Sequence, residues 1–106
     1  MRALRERDPD ASLGLTLNFT DTVPLDPDRE GDRDAARRVD GTANRFFVEA
    51  VTRGSYPQDV LADLADLWPE DLVQEGDLET IATPIDVLGV NYYATQAVTG
   101  PDPERA

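Results

Sequence analysis

Only two stretches of this chain alternate in the manner of a β-strand, and they stand near its opposite ends with helical periodicity between them. Leu13-Gly14-Leu15-Thr16-Leu17-Asn18 places three leucines on one face and Gly14, Thr16 and Asn18 on the other. Ile85 to Ala94 repeats the pattern, with Leu88, Val90 and Tyr92 on one face and Gly89, Asn91 and Tyr93 on the other. Strands joined through a helical crossover run parallel. A parallel pair on its own leaves two open edges and cannot cover its faces. The expected fold is therefore α/β, two parallel strands with intervening helices, forming a piece of a larger sheet.

The connecting residues read as helix for most of their length. From Asp32 to Arg53, Ala36, Val39, Ala43, Phe46, Phe47, Ala50 and Val51 recur at three- and four-residue spacing, an apolar stripe that seeks a core. Gly41 inside it costs about 1 kcal/mol relative to alanine, so a bend or break is expected there. Gly54 reads as the stop. A second helix starts at Pro57, buries Val60, Leu61, Leu64, Leu67 and Trp68, and is ended by Pro69. Short helical turns are expected at Glu70–Val73 and Asp77–Ala82, and a long loop from Phe19 to Gly31. Met1 to Arg7 reads as the last turns of a helix broken by Asp8-Pro9-Asp10, so the chain is expected to open inside an element. Residues 100–106 carry no signal for order and are expected to form a disordered tail.

Composition removes several chemistries. The 106 residues contain no cysteine and no histidine, and all ten basic residues are arginine. Thiolate nucleophiles, disulfides, imidazole bases, histidine-ligated zinc, Schiff-base lysines and Walker-type phosphate loops are thereby excluded. No metal site and no cofactor is expected. Residues 1–53 hold nine arginines against eleven acids, whereas residues 54–106 hold one against eleven. That surface repels phosphate backbones and anionic lipid, so neither nucleic acid nor membrane is an expected partner. No apolar run approaches the roughly 18–20 residues of a spanning helix. The charged start Met1-Arg2-Ala3-Leu4-Arg5-Glu6-Arg7 has no apolar segment of a signal peptide, and a cytoplasmic location is expected.

The strand faces opposite the leucines begin small and end polar: Gly14-x-Thr16-x-Asn18 and Gly89-x-Asn91-x-Tyr93. A central strand of a doubly wound sheet is apolar on both faces. A polar inner end suits a (β/α)8 barrel, whose site lies at the carboxyl ends of its strands. Asn18, Asn91 and Tyr93 are then candidates to line the pocket mouth. On alternation alone the plainer reading comes first, that they are strand-end polar groups satisfied by neighbouring loops.

Four segments, in order, resemble one family. Asp86-Val87-Leu88-Gly89-Val90-Asn91-Tyr92-Tyr93 resembles the D-F-L-G-x-N-Y-Y stretch of family 1 glycoside hydrolases, the retaining β-glucosidase family. Leu15-Thr16-Leu17-Asn18 with its Pro-rich sequel is similar to that family's fifth barrel strand. Asp40-Gly41-x-x-Asn44-Arg45-Phe46-Phe47 and Arg53-Gly54-Ser55-Tyr56-Pro57 resemble its D-G-x-x-N-R-W-F and R-G-x-Y-P stretches, with Phe46 where tryptophan is usual and Val87 where Phe or Trp is usual. The resemblance implies a partial TIM barrel: an incomplete segment, residues 1–106, of a single (β/α)8 glycosidase domain, from the end of the fourth helix through the sixth strand.

Retaining glycosidases work with two carboxyl groups about 5–5.5 Å apart. In the family these are glutamates of an N-E-P motif on the fourth strand and an E-N-G motif on the seventh, and this sequence contains neither. The resemblance therefore implies no catalytic residue here, and an isolated chain without activity. It makes Tyr93 the tyrosine whose hydroxyl reaches the nucleophilic carboxylate, Asn91 an amide support beside it, and Asn18 a contributor near the leaving group. Tyr92 is expected in the core. Asp59, Asp63 and Asp66 read as a solvated helix face, Arg37 and Arg38 as ion-pair partners of nearby acids, and Phe46, Phe47 and Trp68 as core. The Asp26–Asp32 loop lacks the register of a calcium loop. Two other readings stand beside the glycosidase segment: a non-catalytic acidic interaction module, and one half of a split enzyme whose partner is the missing remainder of the barrel. The resemblance implies a β-glycoside as the substrate of the complete enzyme.

Overall fold

The computed structural model describes residues 1–102 and Glu104. In chain order the elements are α1 (Arg2–Arg7), β1 (Gly14–Pro24), α2 (Glu30–Asp40), a π-helical turn (Gly41–Arg45), α3 (Phe46–Arg53), α4 (Gln58–Asp63), α5 (Asp77–Ile81) and β2 (Val87–Val98). The two strands pair in parallel from Gly14↔Val87 to Pro24↔Val98, as the crossover demands.

Both strands outrun their sequence patterns. The expected loop from Phe19 is strand as far as Pro24, because the ladder continues through Asp21↔Thr95, Thr22↔Gln96 and Val23↔Ala97. β-Branched Thr20, Thr22 and Val23 suit that conformation. Proline at the end of β1 is harmless, since the next donor, Leu25 N–H, reaches the Val98 carbonyl at 2.8 Å. One irregularity interrupts the ladder. Phe19 pairs with Tyr92 and Asp21 with Thr95, so Thr20 alone faces Tyr93 and Ala94 together, a β-bulge in β2.

The long helix forms as read, though Phe47, expected in the core, is 50% exposed, and the break foreseen at Gly41 takes the form of a π-helical turn joining α2 to α3. Gly54 ends α3 with φ of 66°. The second helix is shorter than its pattern. It stops at Asp63, and Leu67, expected inside, is 79% exposed. Glu70–Val73 is a turn rather than helix, while α5 forms where expected.

Among the described residues the buried interior is small: Ala36, Ala50 and Val60, with Gly41, Pro57 and Gly100, and one carboxylate, Asp32. Ala36 and Ala50 are on the helical stripe, and Val60 of α4 closes over its π-helical turn. Gly100–Asp102, where the sequence gives no reason for order, are tied to α2. The Gly100 N–H donates to Asp32 Oδ1 at 2.9 Å, and Arg29 Nη2 donates to the Pro101 carbonyl at 2.9 Å. Pro103, Arg105 and Ala106, also in that expected tail, lie outside the described residues.

Candidate functional site

The polar residues read as the ends of the two strands meet, in the middle of the ladder. Asn18 and Asn91 are partners across the ladder, and Asn91 Nδ2 donates to Asn18 Oδ1 at 2.9 Å. Parallel pairing sets the two asparagines side by side at one level, and because both strands outrun their sequence patterns that level is mid-ladder, with pairing continuing to Pro24↔Val98. Gly89 opposite Thr16 keeps the start of this face small: a Cβ there would lie 2.5 Å from Thr16 Oγ1. Tyr93 follows Asn91 by two residues and is 84% exposed. Tyr92, expected in the core, is instead 57% exposed. Its hydroxyl shares a 2.7 Å hydrogen bond with Thr95 Oγ1, which itself donates to Asp21 Oδ2 at 3.1 Å. Two amides and a phenol can orient a polar ligand by hydrogen bonding; on their own they cannot serve as acid and base at neutral pH.

Behind this face stands a brace that reading the sequence for chemistry missed. Asn44, in the π-helical turn, takes both backbone groups of Thr20. The Thr20 N–H donates to Asn44 Oδ1 at 3.2 Å, and Asn44 Nδ2 donates to the Thr20 carbonyl at 2.8 Å. Asp40 fixes the amide from the other side, its Oδ1 accepting from Asn44 Nδ2 at 2.8 Å and its Oδ2 from Arg45 Nε at 2.9 Å. The signal was present as Asp40-x-x-x-Asn44-Arg45, where four-residue spacing stacks two side chains on one helix face.

The acids of α4 do not form the solvated face expected of them. Arg45 grips Asp59 with both fork nitrogens at 2.9 and 2.7 Å. Arg37 reaches Asp59 at 2.7 Å and Asp63 at 2.9 and 3.2 Å, while its Nε donates to Asp34. The hydrogen bonds from Arg45 and then Arg37 hold the Asp59 carboxyl far below its usual range, against a smaller opposing effect of desolvation. The same contacts raise both guanidinium groups further, Arg37 chiefly through Asp63 and Arg45 chiefly through Asp59. Arg38 pairs with Asp34 at 2.9 Å, so neither arginine stands ready for an anion. The network welds α2 and its π-helical turn to α4.

Asp32 is the one fully buried charged side chain among the described residues. Burial pushes its carboxyl up, but donors from Gly100 N–H, Thr99 Oγ1 and Asp26 N–H, together with the Arg29 charge, outweigh this and hold it at about 2. It thus locks the end of β2 to the loop after β1. No cluster of potential metal ligands occurs among the described residues. At the other end of the sheet Asp86 accepts from Leu13 N–H at 2.9 Å and from Arg5 at 3.3 Å, which hold its carboxyl low in that order of importance. Phe46 stacks on Tyr56 with centroids 4.5 Å apart and planes 4° apart, and Trp68 meets both edge-on. These rings hold α3 to the stretch after α4, remote in sequence from the asparagine pair.

Comparison with known proteins supplies the remaining context. The family model described as glycosyl hydrolase family 1 matches residues 1–106. The thermostable beta-glucosidase B of Thermobispora bispora is 46% identical over 83 residues, covering 77% of this chain and 16% of that protein. The bifunctional beta-D-glucosidase/beta-D-fucosidase of Bifidobacterium breve is 44% identical over 68 residues, covering 64% of this chain and 15% of that protein. Among solved structures, the psychrophilic beta-glucosidase BglU of Micrococcus antarcticus superposes with a TM-score of 0.82 at 45% identity, covering 92% of this chain and 21% of that one. The virulence factor SghA of Agrobacterium tumefaciens, in its complex with the substrate analogue salicin, superposes with a TM-score of 0.82 at 30% identity, covering 99% of this chain and 22% of that one. The chain thus spans about a fifth or less of the length of these relatives.

Proposed function

The chain belongs to glycosyl hydrolase family 1, and on that premise we propose that it forms one sector of a retaining β-glucosidase barrel, from its fifth to its sixth strand. The substrate of the complete barrel is a β-linked glucoside or galactoside. One carboxylate attacks the anomeric carbon while a carboxylic acid protonates the departing oxygen; water then releases the sugar by the reverse route. Neither the Asn-Glu-Pro nor the Glu-Asn-Gly motif occurs in this sequence, so both groups come from other strands. This sector supplies the orienting groups: Tyr93 donates a hydrogen bond to the nucleophilic carboxylate, which favours its charged form, Asn91 supports it, and Asn18 faces the leaving group.

The observation that carries the reading is the register match of Asn18 with Asn91 and their shared hydrogen bond. The interaction-module alternative loses ground because Asp59 and Asp63, which would meet a basic partner, are engaged by Arg37 and Arg45. The rest of the barrel is the partner this reading requires, and a cytoplasmic setting belongs to the same proposal.

The test is a segment exchange. Set into the Thermobispora bispora enzyme in place of its equivalent stretch, the chain is expected to leave hydrolysis of an aryl β-glucoside intact. The chain alone is expected to give none. An inactive exchange enzyme, or turnover by the chain alone, overturns the proposal.

A further inference from the structure

The bulge in β2 falls on the residue that matters most to the proposed chemistry. Tyr93 and Ala94 together face Thr20, and Thr20 is the residue whose backbone N–H and carbonyl are both held by the Asn44 side chain. A bulge inserts a residue, bends its strand and re-aims the side chain it carries. Where it sits depends on which partner residue is kept at the irregular step. Thr20 cannot slide along β1 without losing two hydrogen bonds, of 2.8 and 3.2 Å, in a half-buried place. Asn44 cannot follow it, because Asp40 Oδ1 holds the same amide nitrogen at 2.8 Å, while Asp40 Oδ2 is anchored to Arg45 and Arg45 to Asp59. A continuous set of contacts therefore runs from α4 through the π-helical turn to the strand position opposite Tyr93.

We infer that Asn44 is a positioning residue for the active site: by clamping the Thr20 backbone it fixes the bulge at Tyr93–Ala94 and so sets the direction of the Tyr93 hydroxyl. This rests on the reading of Tyr93 as the donor to the nucleophilic carboxylate. Asn44 itself touches neither substrate nor nucleophile. Its effect passes through backbone geometry, which is why the residue must be an amide. The side chain of asparagine alone presents a donor and an acceptor at the reach needed to occupy one residue's N–H and carbonyl at once.

The experiment uses the exchange enzyme described above, carrying Asn44→Ala, Asn44→Gln, Tyr93→Phe and the Asn44→Ala/Tyr93→Phe pair, with the pH profile of kcat/KM as readout. Losing the phenol's hydrogen bond raises the nucleophile's pKa, so Tyr93→Phe is expected to move the acidic limb upward by about half a unit or more. Asn44→Ala is expected to move it the same way, and to lower kcat about tenfold with KM changed less than about threefold. The double variant is expected to be little worse than Tyr93→Phe alone, because both changes remove one arrangement. Asn44→Gln keeps the amide but displaces it by a methylene; it is expected to show the same shift and keeps the test decisive if Asn44→Ala fails to fold. An inactive unaltered exchange enzyme, or an acidic limb unmoved by Tyr93→Phe, overturns the functional reading and the inference with it. A limb moved by Tyr93→Phe but not by the Asn44 variants, or additive losses in the pair, overturns the inference alone.

Discussion

A methyl group at position 41 has nowhere to go. Built on Gly41, it would lie 2.7 Å from Cγ2 of Val60 and 2.9 Å from Nη2 of Arg45, and Val60 is wholly buried. Alanine gains about 1 kcal/mol in helix propensity, yet overfilling a packed interior costs about 1–3 kcal/mol. Gly41→Ala is therefore expected to lower stability on balance, read as a lower urea midpoint in the exchange enzyme; an unchanged or raised midpoint contradicts the packing argument. The sequence made this glycine visible as a weak point in a helix but not its cause, since Val60 is remote along the chain. Asn44 was visible only as a letter in a family motif, because its partner Thr20 sat in what read as loop. Asn18 and Asn91 were legible from alternation alone, yet nothing local to either could say that one amide would find the other.

The join between α2, its π-helical turn and α4 is ionic rather than apolar, and this gives it a pH dependence of definite sign. Asp59, Asp34 and Asp32 are all held below the ordinary carboxyl value in the folded chain, Asp32 at about 2. A group depressed on folding contributes stability above its unfolded value, about 3.9 for aspartate, and loses it as pH falls through the folded one. The helical circular-dichroism signal of the chain is thus expected to be level from about pH 5 upward through neutrality, where no histidine or cysteine titrates, and to fall between about pH 4 and 2. A flat profile across that acid window counts against the network. Arg45→Lys keeps the charge but loses the two-pronged grip on Asp59; a cost of about 1 kcal/mol is expected, measured by chemical denaturation of the exchange enzyme. Helix positions were legible here because their apolar spacing is local. The extra length of β1 and β2 was not: a polar stretch such as Thr20-Asp21-Thr22 becomes strand only when its far-off partner supplies the ladder.

The molecule as a whole is extended and thin. Its radius of gyration is 17.3 Å, and it measures 59 × 34 × 18 Å, whereas a compact chain of 100 residues has a radius of about 13 Å. Val87, Leu88, Val90 and Tyr92 lie exposed on β2, and among the described residues no third strand pairs with either edge of the sheet. Expressed alone, the chain is expected to bind a hydrophobic dye and to melt without a sharp transition. A single cooperative calorimetric peak with no dye binding refutes that expectation. That two strands cannot close a sheet was plain in the sequence, whereas the tie between Gly100 and Asp32 was hidden, because a buried carboxylate looks like any other acid in a row of letters. Ala94 shows what the surplus step in one rail achieves. Phe19 and Asp21 are two residues apart on β1, while their partners Tyr92 and Thr95 are three apart on β2; the extra residue leaves Tyr92 and Thr95 on one face, their hydroxyls 2.7 Å apart, with Thr95 still on Asp21. One spare amino acid is slack in a single rail: the step is lost at Tyr93 and recovered by Thr95, so the remainder of β2 arrives opposite its own rungs.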